Sequence, residues 1–173
     1  MANTTFDGPV RSKNGFINIG PGMTKSLSAD TSLTVQEHAG RILLLNDADG
    51  KFTLPSINVN ADSAVAGPGS DPNNLNNIGA SFYFYIETAA TDLDIKTDGT
   101  DKFTGAVMLA VDDGAKKAFV PAAANDVMTF DGGTAGGLAG SVIQVTAVDT
   151  NNYLVHNSLV IATGTIVTPF ANA

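Results

Sequence analysis

Two histidines and a few clustered carboxylates are the side chains in this chain that are best suited to catalysis or metal binding. His38 follows Glu37, and His156 follows Val155 in an apolar run. Neither histidine has a Ser, Cys or carboxylate at a spacing typical of nucleophilic catalysis. We therefore expect no catalytic residues, and His156 is predicted to be an exposed or interface side chain on the face opposite Val155.

Three short segments have some features of ion-binding loops. Residues 46–50, NDADG, and residues 98–101, DGTD, offer carboxylate oxygens beside a glycine, but the alternating ligands and distal Glu of a calcium loop are missing. Residues 131–137, DGGTAGG, carry paired glycines without the Lys-Ser/Thr that completes a phosphate loop. The sequence predicts tight turns here, with no metal site and no cofactor.

The strongest strand pattern lies near the C-terminus, in residues 140–162. Two arms rich in β-branched residues flank DTNN at 149–152, which predicts a β-hairpin. Along the second arm we expect one face to be formed by Tyr153, Val155, Leu159 and Ile161. Because two strands alone are marginal in water, this hairpin must join a larger sheet.

Other strand patterns supply that sheet. In residues 80–88, ASFYFYIET, the pattern predicts Phe82, Phe84 and Ile86 on an inner face. Tyr83 and Tyr85 then lie on the outer face, as a possible interface or under partial cover from a neighbouring loop. Residues 41–46 read as a strand buried on both faces. Asp49-Gly50 predicts a hairpin turn from that strand into residues 51–54, and Gly105 a bulge in the strand 103–111.

Composition limits the fold and its environment. The chain has 173 residues with 18 Gly, 7 Pro and no Cys, so many turns are expected and disulfides are excluded. No apolar run approaches the roughly 18 residues of a membrane helix, and the N-terminus lacks the pattern of a secretory signal. We expect a protein made in the cytoplasm without a membrane segment.

Charge and apolar content divide the chain into two parts. The net charge of the whole chain is −8, and residues 1–25 carry +2, so residues 26–173 carry −10. Because a body this acidic repels phosphate groups, nucleic acid is not an expected partner. The first part has repeated Gly-Pro and Asn-Gly turn signals, yet contains Phe6, Val10, Phe16 and Ile17. An extended arm that buries these side chains against another surface explains both properties.

Together these patterns predict an all-β fold. We expect a single antiparallel β-sandwich or β-barrel domain over residues 26–173, preceded by an extended N-terminal arm over residues 1–25. Residues 56–79, rich in Gly, Pro and Asn, are predicted to form a long surface loop.

Several stretches resemble structural proteins from tailed bacteriophages of marine bacteria. They are TFDGPVRSKNGF at 5–16, HAGRILLLNDADGKFTLP from His38, TDLDIKTDGTDKFTGAVML from Thr91, NDVMTFDGGTAGGLAGSVIQVTAV from Asn125 and LVIATGTIVTPF from Leu159. The resemblance implies a small virion component of capsid decoration (cement) type. Such a protein binds the major capsid protein on the outer surface of the expanded head, needs no catalysis, and often forms a homo-oligomer, with a trimer as the first expectation.

In that interpretation, the arm makes the capsid contact. The residues predicted to carry it are apolar or basic: Phe6, Val10, Arg11, Lys13, Phe16 and Ile17. An alternative is a tail or head-fibre component that binds a host surface glycan through Tyr83, Tyr85 and the 56–79 loop. A fibre usually requires repeats or a coiled-coil shaft, and the sequence has neither. A β-sandwich hydrolase is a third, remote class.

Overall fold

The computed structural model describes residues 19–59, 76–112 and 114–172. The strands are β1 Thr24–Leu27, β2 Thr31–Ser32, β3 Ile42–Leu45, β4 Lys51–Thr53, β5 Ser81–Ile86, β6 Leu93–Lys96, β7 Lys102–Gly105, β8 Val107–Val111, β9 Lys116–Phe119, β10 Val127–Phe130, β11 Val142–Ala147, β12 Asn152–Ala162 and β13 Phe170–Ala171. A 3₁₀ turn, Pro21–Met23, precedes β1, and the helix α1, Val35–His38, follows β2. The predicted all-β class is confirmed.

The strands form two sheets. The larger has the order β1-β3-β5-β11-β12-β8-β9, with β7 also paired to β12. The smaller has the order β13-β10-β6-β4-β2. Both sheets contribute to one hydrophobic core: Phe82, Phe84 and Tyr153 come from the larger sheet, and Phe52 and Phe130 from the smaller. Burial of such side chains, at about 1.5–3 kcal/mol each, is the main force joining the sheets.

Strand pairing differs from the predicted antiparallel domain, because both sheets are mixed. In the larger sheet β3 is parallel to β1 and β5, whereas β11 is antiparallel to β5 and β12. In the smaller sheet β4 is parallel to β2 and β6, whereas β10 is antiparallel to β6 and β13. Parallel neighbours require crossover connections, and here the chain makes them by passing between the two sheets.

The turn at residues 46–50 shows such a crossing. Its Gly50 amide donates to the Asp47 carbonyl at 3.5 Å, so a turn forms where the sequence predicts one. The flanking strands, however, belong to different sheets, because β3 pairs with β1 and β5 while β4 pairs with β2 and β6. The predicted hairpin is therefore wrong. The strand at 41–46 is also not buried on both faces, since Leu43 and Leu45 are buried but Ile42 is exposed.

The C-terminal hairpin is confirmed, and it lies in the middle of the larger sheet. β11 and β12 pair antiparallel, with Val145 opposite Val155 and Ala147 opposite Tyr153. The Val148 amide donates to the Asn152 carbonyl at 3.0 Å and closes the connecting turn. β5 covers the free edge of β11, while β7 and β8 cover that of β12.

A bulge in β12 changes which residues of the hairpin face the core. Between the pairs Gln144–His156 and Val142–Leu159, β11 advances by two residues and β12 by three. Before this bulge Tyr153 and Val155 are buried, as predicted. After it Leu159 is 48% exposed, and Val160 is buried instead. The predicted common face of Tyr153, Val155, Leu159 and Ile161 is therefore wrong, because one extra residue reverses the alternation.

Gly105 interrupts the strand predicted at 103–111 and separates β7 from β8. Both strands run parallel to β12, β7 along its first half and β8 along its second. Gly105 has φ +90°, and a Cβ there would lie 2.2 Å from the Val155 carbonyl oxygen. Only glycine permits this approach, and where the sequence predicts a bulge within one strand the structure has a break between two strands.

The segment predicted as a long loop, 56–79, is joined at its base. The Asn58 amide donates to the Asn77 side-chain oxygen, and the Asn77 amide donates to the Asn58 carbonyl. The Asn77 side-chain nitrogen also donates to the Ser56 carbonyl at 2.8 Å. Residues 60–75 of this prediction lie outside the described residues. Buried Asn77 therefore ties the two described ends of the segment together.

Candidate functional site

The outer face of the larger sheet carries exposed aromatic and aliphatic side chains. In β5 the side chains of Phe82, Phe84 and Ile86 are buried in the core, so Tyr83 and Tyr85 point to the opposite face. Tyr83 is 40% exposed. The predicted inner and outer faces of this strand are confirmed.

Strand register aligns outward side chains from four strands in two rows. The first row contains Ile42 of β3, Tyr83 of β5, Gln144 of β11 and His156 of β12. The second contains Leu44, Tyr85, Val142 and Leu159 from the same strands. Because neighbouring strands lie about 4.8 Å apart, adjacent members of each row are close enough for direct side-chain contact.

A depression of about 280 Å³ lies between these rows, and we call it the sheet groove. It is lined by Ile42, Tyr83, Phe84, Tyr85, Val142, Ile143, Gln144 and Asn157. Phe84 and Ile143 have buried side chains, so they belong to its floor. None of the lining residues is charged, although the chain has a net charge of −8.

The bulge in β12 supplies the polar end of the groove. Asn157 has φ +45° and is the one residue other than glycine with a positive φ in the described part of the chain. Its side-chain nitrogen donates to the Gln144 side-chain oxygen at 2.8 Å. The two amides thus fix each other's orientation beside Tyr83. The amide pair thus places polar groups at the edge of an otherwise aromatic and aliphatic depression.

A second polar group continues along the same face. The Ser81 hydroxyl lies 2.6 Å from the Thr146 hydroxyl, which lies 2.8 Å from Nε2 of His156. These two hydrogen bonds link β5, β11 and β12 next to the groove. It holds His156 against the sheet, where the side chain is half-buried on the outer face.

The carboxylates of the acidic turn at 98–101 accept hydrogen bonds from backbone amides of the protein itself. Asp98 accepts hydrogen bonds from the amides of Thr100 and Asp101 and from the Ser56 hydroxyl. Buried Asp101 accepts the Ile57 amide at 2.8 Å, and burial raises the pKa of its carboxyl group. These carboxylates fasten the beginning of the 56–79 segment to β7.

The glycine-rich segment 131–137 forms a nest of amides that the chain itself fills. One oxygen of Asp131 accepts the amides of Gly133 and Ala135, both at 2.8 Å, and the other accepts the Thr134 hydroxyl. Partial burial raises the pKa of Asp131, but these hydrogen bonds outweigh it and hold the pKa below its usual value. A carboxylate thus occupies the position that an anion would take.

His38 ends α1 and is 3% exposed. Its Nδ1 lies 2.9 Å from the Thr34 amide nitrogen, and Nε2 has no hydrogen-bond partner. Burial, and next the positive charge of Lys25, lower the pKa of His38. The ring is therefore neutral, and its role is structural, since its Nδ1 is within hydrogen-bond distance of the Thr34 amide at the start of α1.

The site residues predicted from sequence have separate outcomes. Tyr83 and Tyr85 lie together in the sheet groove. The predicted capsid contacts, Phe6, Val10, Arg11, Lys13, Phe16 and Ile17, all lie outside the described residues.

Four outward-facing lining residues were not predicted from sequence. Ile42 was missed because its strand reads as buried throughout. Val142, Gln144 and Asn157 were missed because their positions depend on register and on the bulge.

The chain matches no protein-family model, no curated protein and no solved structure. Within residues 19–59, 76–112 and 114–172, no cluster of three or more His, Asp or Glu side chains is placed to hold a metal ion. In the same ranges no helix has the length and apolar content needed to cross a membrane.

Proposed function

We propose that this chain is a capsid decoration (cement) protein of a tailed bacteriophage. In this proposal it binds the major capsid protein on the outer surface of the expanded head, strengthens the shell and carries out no catalysis. The resemblance of residues 5–16 and of four later stretches to phage structural proteins supports the assignment. A compact β-rich body is also suited to a surface component.

The way the chain enters the body is the observation that carries this proposal. Ile19 is 85% exposed, and the 3₁₀ turn Pro21–Met23 has no buried residue. β1 follows as an edge strand of the larger sheet, and Leu27 is the first residue of the described core. Among the described residues, the segment that precedes Leu27 therefore contributes no side chain to the core and leads into an edge of the larger sheet.

The composition of residues 1–18 fits an attachment segment. Phe6, Val10, Phe16 and Ile17 offer apolar area, while Arg11 and Lys13 offer positive charge that an acidic capsid surface would attract. The twelve residues from Phe6 to Ile17 can span at most about 40 Å, enough to cross a boundary between capsid subunits. We propose that these six side chains carry most of the capsid contact.

Deletion of residues 2–18 tests the attachment. Purified protein is mixed with expanded heads that lack it, and bound protein is measured by co-sedimentation. The deletion variant is expected to lose binding while its urea midpoint stays near that of the full chain, because the described core starts at Leu27. The double variant Arg11→Glu, Lys13→Glu should weaken binding in the same assay. Full occupancy by the deletion variant would refute the proposed attachment.

Location and assembly need a separate measurement. A decoration protein occupies many equivalent positions on the head, whereas a fibre component, the alternative assignment, is present in few copies. Cryo-EM of the particle would give location, copy number and symmetry together. We propose a homotrimer at a capsid symmetry axis, and a monomer both in solution and on the particle would contradict that assembly.

A further inference from the structure

We infer that the sheet groove is a binding site for a neutral carbohydrate ring. This inference goes beyond attachment to a capsid and does not depend on it, because the groove lies on the body and shares no residue with the segment 1–18. It rests on three properties of the groove: an uncharged lining, two outward-facing tyrosines of which Tyr83 is exposed and Tyr85 half-buried, and a pair of amides held at its edge.

The uncharged lining selects against ionic ligands. None of the eight lining residues is charged, so an anion or cation in the groove would lose hydration without gaining an ion pair. The acidic body, with a net charge of −8 for the chain, further disfavours anions such as phosphate or acidic sugars. A neutral ligand is the class that this lining accepts.

The aromatic and aliphatic residues select a ligand with an apolar face. Tyr83 and Tyr85 lie two residues apart on one face of β5, with Ile42 and Val142 on the neighbouring strands. Rings in this position can stack on the C–H face of a sugar while the ligand's edge remains polar. The volume of about 280 Å³ is close to the lower limit of small-molecule sites, about 300 Å³, which suits one or two sugar rings.

The amide pair matches the edge of such a ring. The Asn157 side-chain nitrogen donates to the Gln144 side-chain oxygen, and this bond orients both groups. The arrangement leaves the Gln144 amide nitrogen as a donor and the Asn157 amide oxygen as an acceptor. Adjacent sugar hydroxyls both donate and accept, so they can bind both groups at once. The positive φ of Asn157 and the bulge are what bring this amide to the groove.

A second copy of the chain fits this surface less well. Leu159 and Met108 extend the apolar area beyond the groove and could support self-association. A flat apolar partner would, however, cover the free donor of Gln144 and the free acceptor of Asn157 without satisfying them, which is costly. A ligand with hydroxyl groups avoids that cost, and we therefore commit to a sugar.

Titration of the full chain with defined sugars tests the inference. The probes are the methyl glycosides of glucose, galactose, mannose and N-acetylglucosamine, followed by amide chemical shifts in NMR spectra. At least one is expected to shift the signals of Tyr83, Gln144 and Asn157, with a Kd on the order of 1 mM, as is usual for a small neutral ligand. N-Acetylneuraminate, which is anionic, should bind at least about tenfold more weakly.

Variants separate binding from folding. Tyr83→Ala should weaken binding at least about tenfold by removing the ring. Asn157→Gly should weaken it about fivefold, and since glycine accepts a positive φ, the spectrum elsewhere should stay unchanged. Val120→Ala changes an apolar residue that is 72% exposed and does not line the groove, so it should bind like the parent chain.

Three results would overturn the inference. The first is the absence of shifts at the groove with every probe up to about 20 mM, well above the Kd expected for such a site. The second is unchanged binding in both groove variants. The third is a dimer in light scattering that Tyr83→Ala converts to monomer, which would assign the groove to self-association.

Discussion

The close contact between Gly105 and β12 can be tested with a matched pair of substitutions. Gly105 and Gly99 have almost the same φ, +90° and +92°. A Cβ at Gly105 would lie 2.2 Å from the Val155 carbonyl oxygen, whereas a Cβ at Gly99 meets nothing within 4 Å. The pair therefore separates the cost of a positive φ from the cost of the contact.

The expected magnitudes follow from these two terms. Either alanine substitution should cost about 1–2 kcal/mol for the positive φ. At Gly105 the Cβ must also move about 1.2 Å from the Val155 oxygen to reach ordinary contact at 3.4 Å. That movement strains the hydrogen bond of 3.1 Å that the Ala106 amide donates to the same oxygen, at a further cost of about 1–3 kcal/mol. We expect a total of about 2–5 kcal/mol for Gly105→Ala.

Urea denaturation followed by circular dichroism measures both variants. Gly105→Ala should be less stable than Gly99→Ala by about 1–3 kcal/mol, or by about 2–12 °C in Tm for a chain of this length. If the two variants differ by less than about 0.5 kcal/mol, then β7 and β8 do not approach β12 as described, and the reasoning from Gly105 fails.

Two further predictions concern buried titratable groups. Tyr153→Phe removes a hydroxyl that donates to the Pro55 carbonyl at 2.5 Å, and should cost about 1–2 kcal/mol, against less than about 0.5 kcal/mol for Tyr83→Phe. Burial raises the pKa of Tyr153, so its stabilising effect is complete below about pH 10 and declines above it; equal alkaline losses in the parent and Tyr153→Phe would contradict this. Burial lowers the pKa of His38, so the unfolded chain takes up the proton first and stability should fall as the pH drops below about 6.5. His38→Asn, which keeps an acceptor for the Thr34 amide, should show a smaller loss between about pH 7 and 5 in urea titrations, and an identical pH slope would exclude the histidine as its cause.

Local sequence patterns predict the individual strands better than their partners. Alternation in residues 80–88 and the DTNN turn at 149–152 depend on neighbouring residues, and both are found in the structure. The pairing of β3 with β1 and β5 depends on contacts between distant segments, which no local pattern contains. The Asp49-Gly50 pair shows the limit, because the turn forms but leads the chain into the other sheet.

The groove was only half predictable for the same reason. Tyr83 and Tyr85 follow from the alternation of a single strand, so their outward direction was evident in the sequence. Gln144 and Asn157 meet across two strands, and their contact requires the extra residue of the bulge. The sequence of β12 contains no glycine to indicate that irregularity, since asparagine takes the positive φ.

The position of β11 and β12 in the larger sheet has a consequence for biosynthesis. These strands separate β5 from β7 and β8, yet they leave the ribosome after all three of those strands. Until then, β5 has an unpaired edge, and β7 and β8 lack their common neighbour. The larger sheet therefore cannot be completed until β12 has been synthesised, and chains shortened before residue 142 should fail to mature and be prone to aggregation through those open edges.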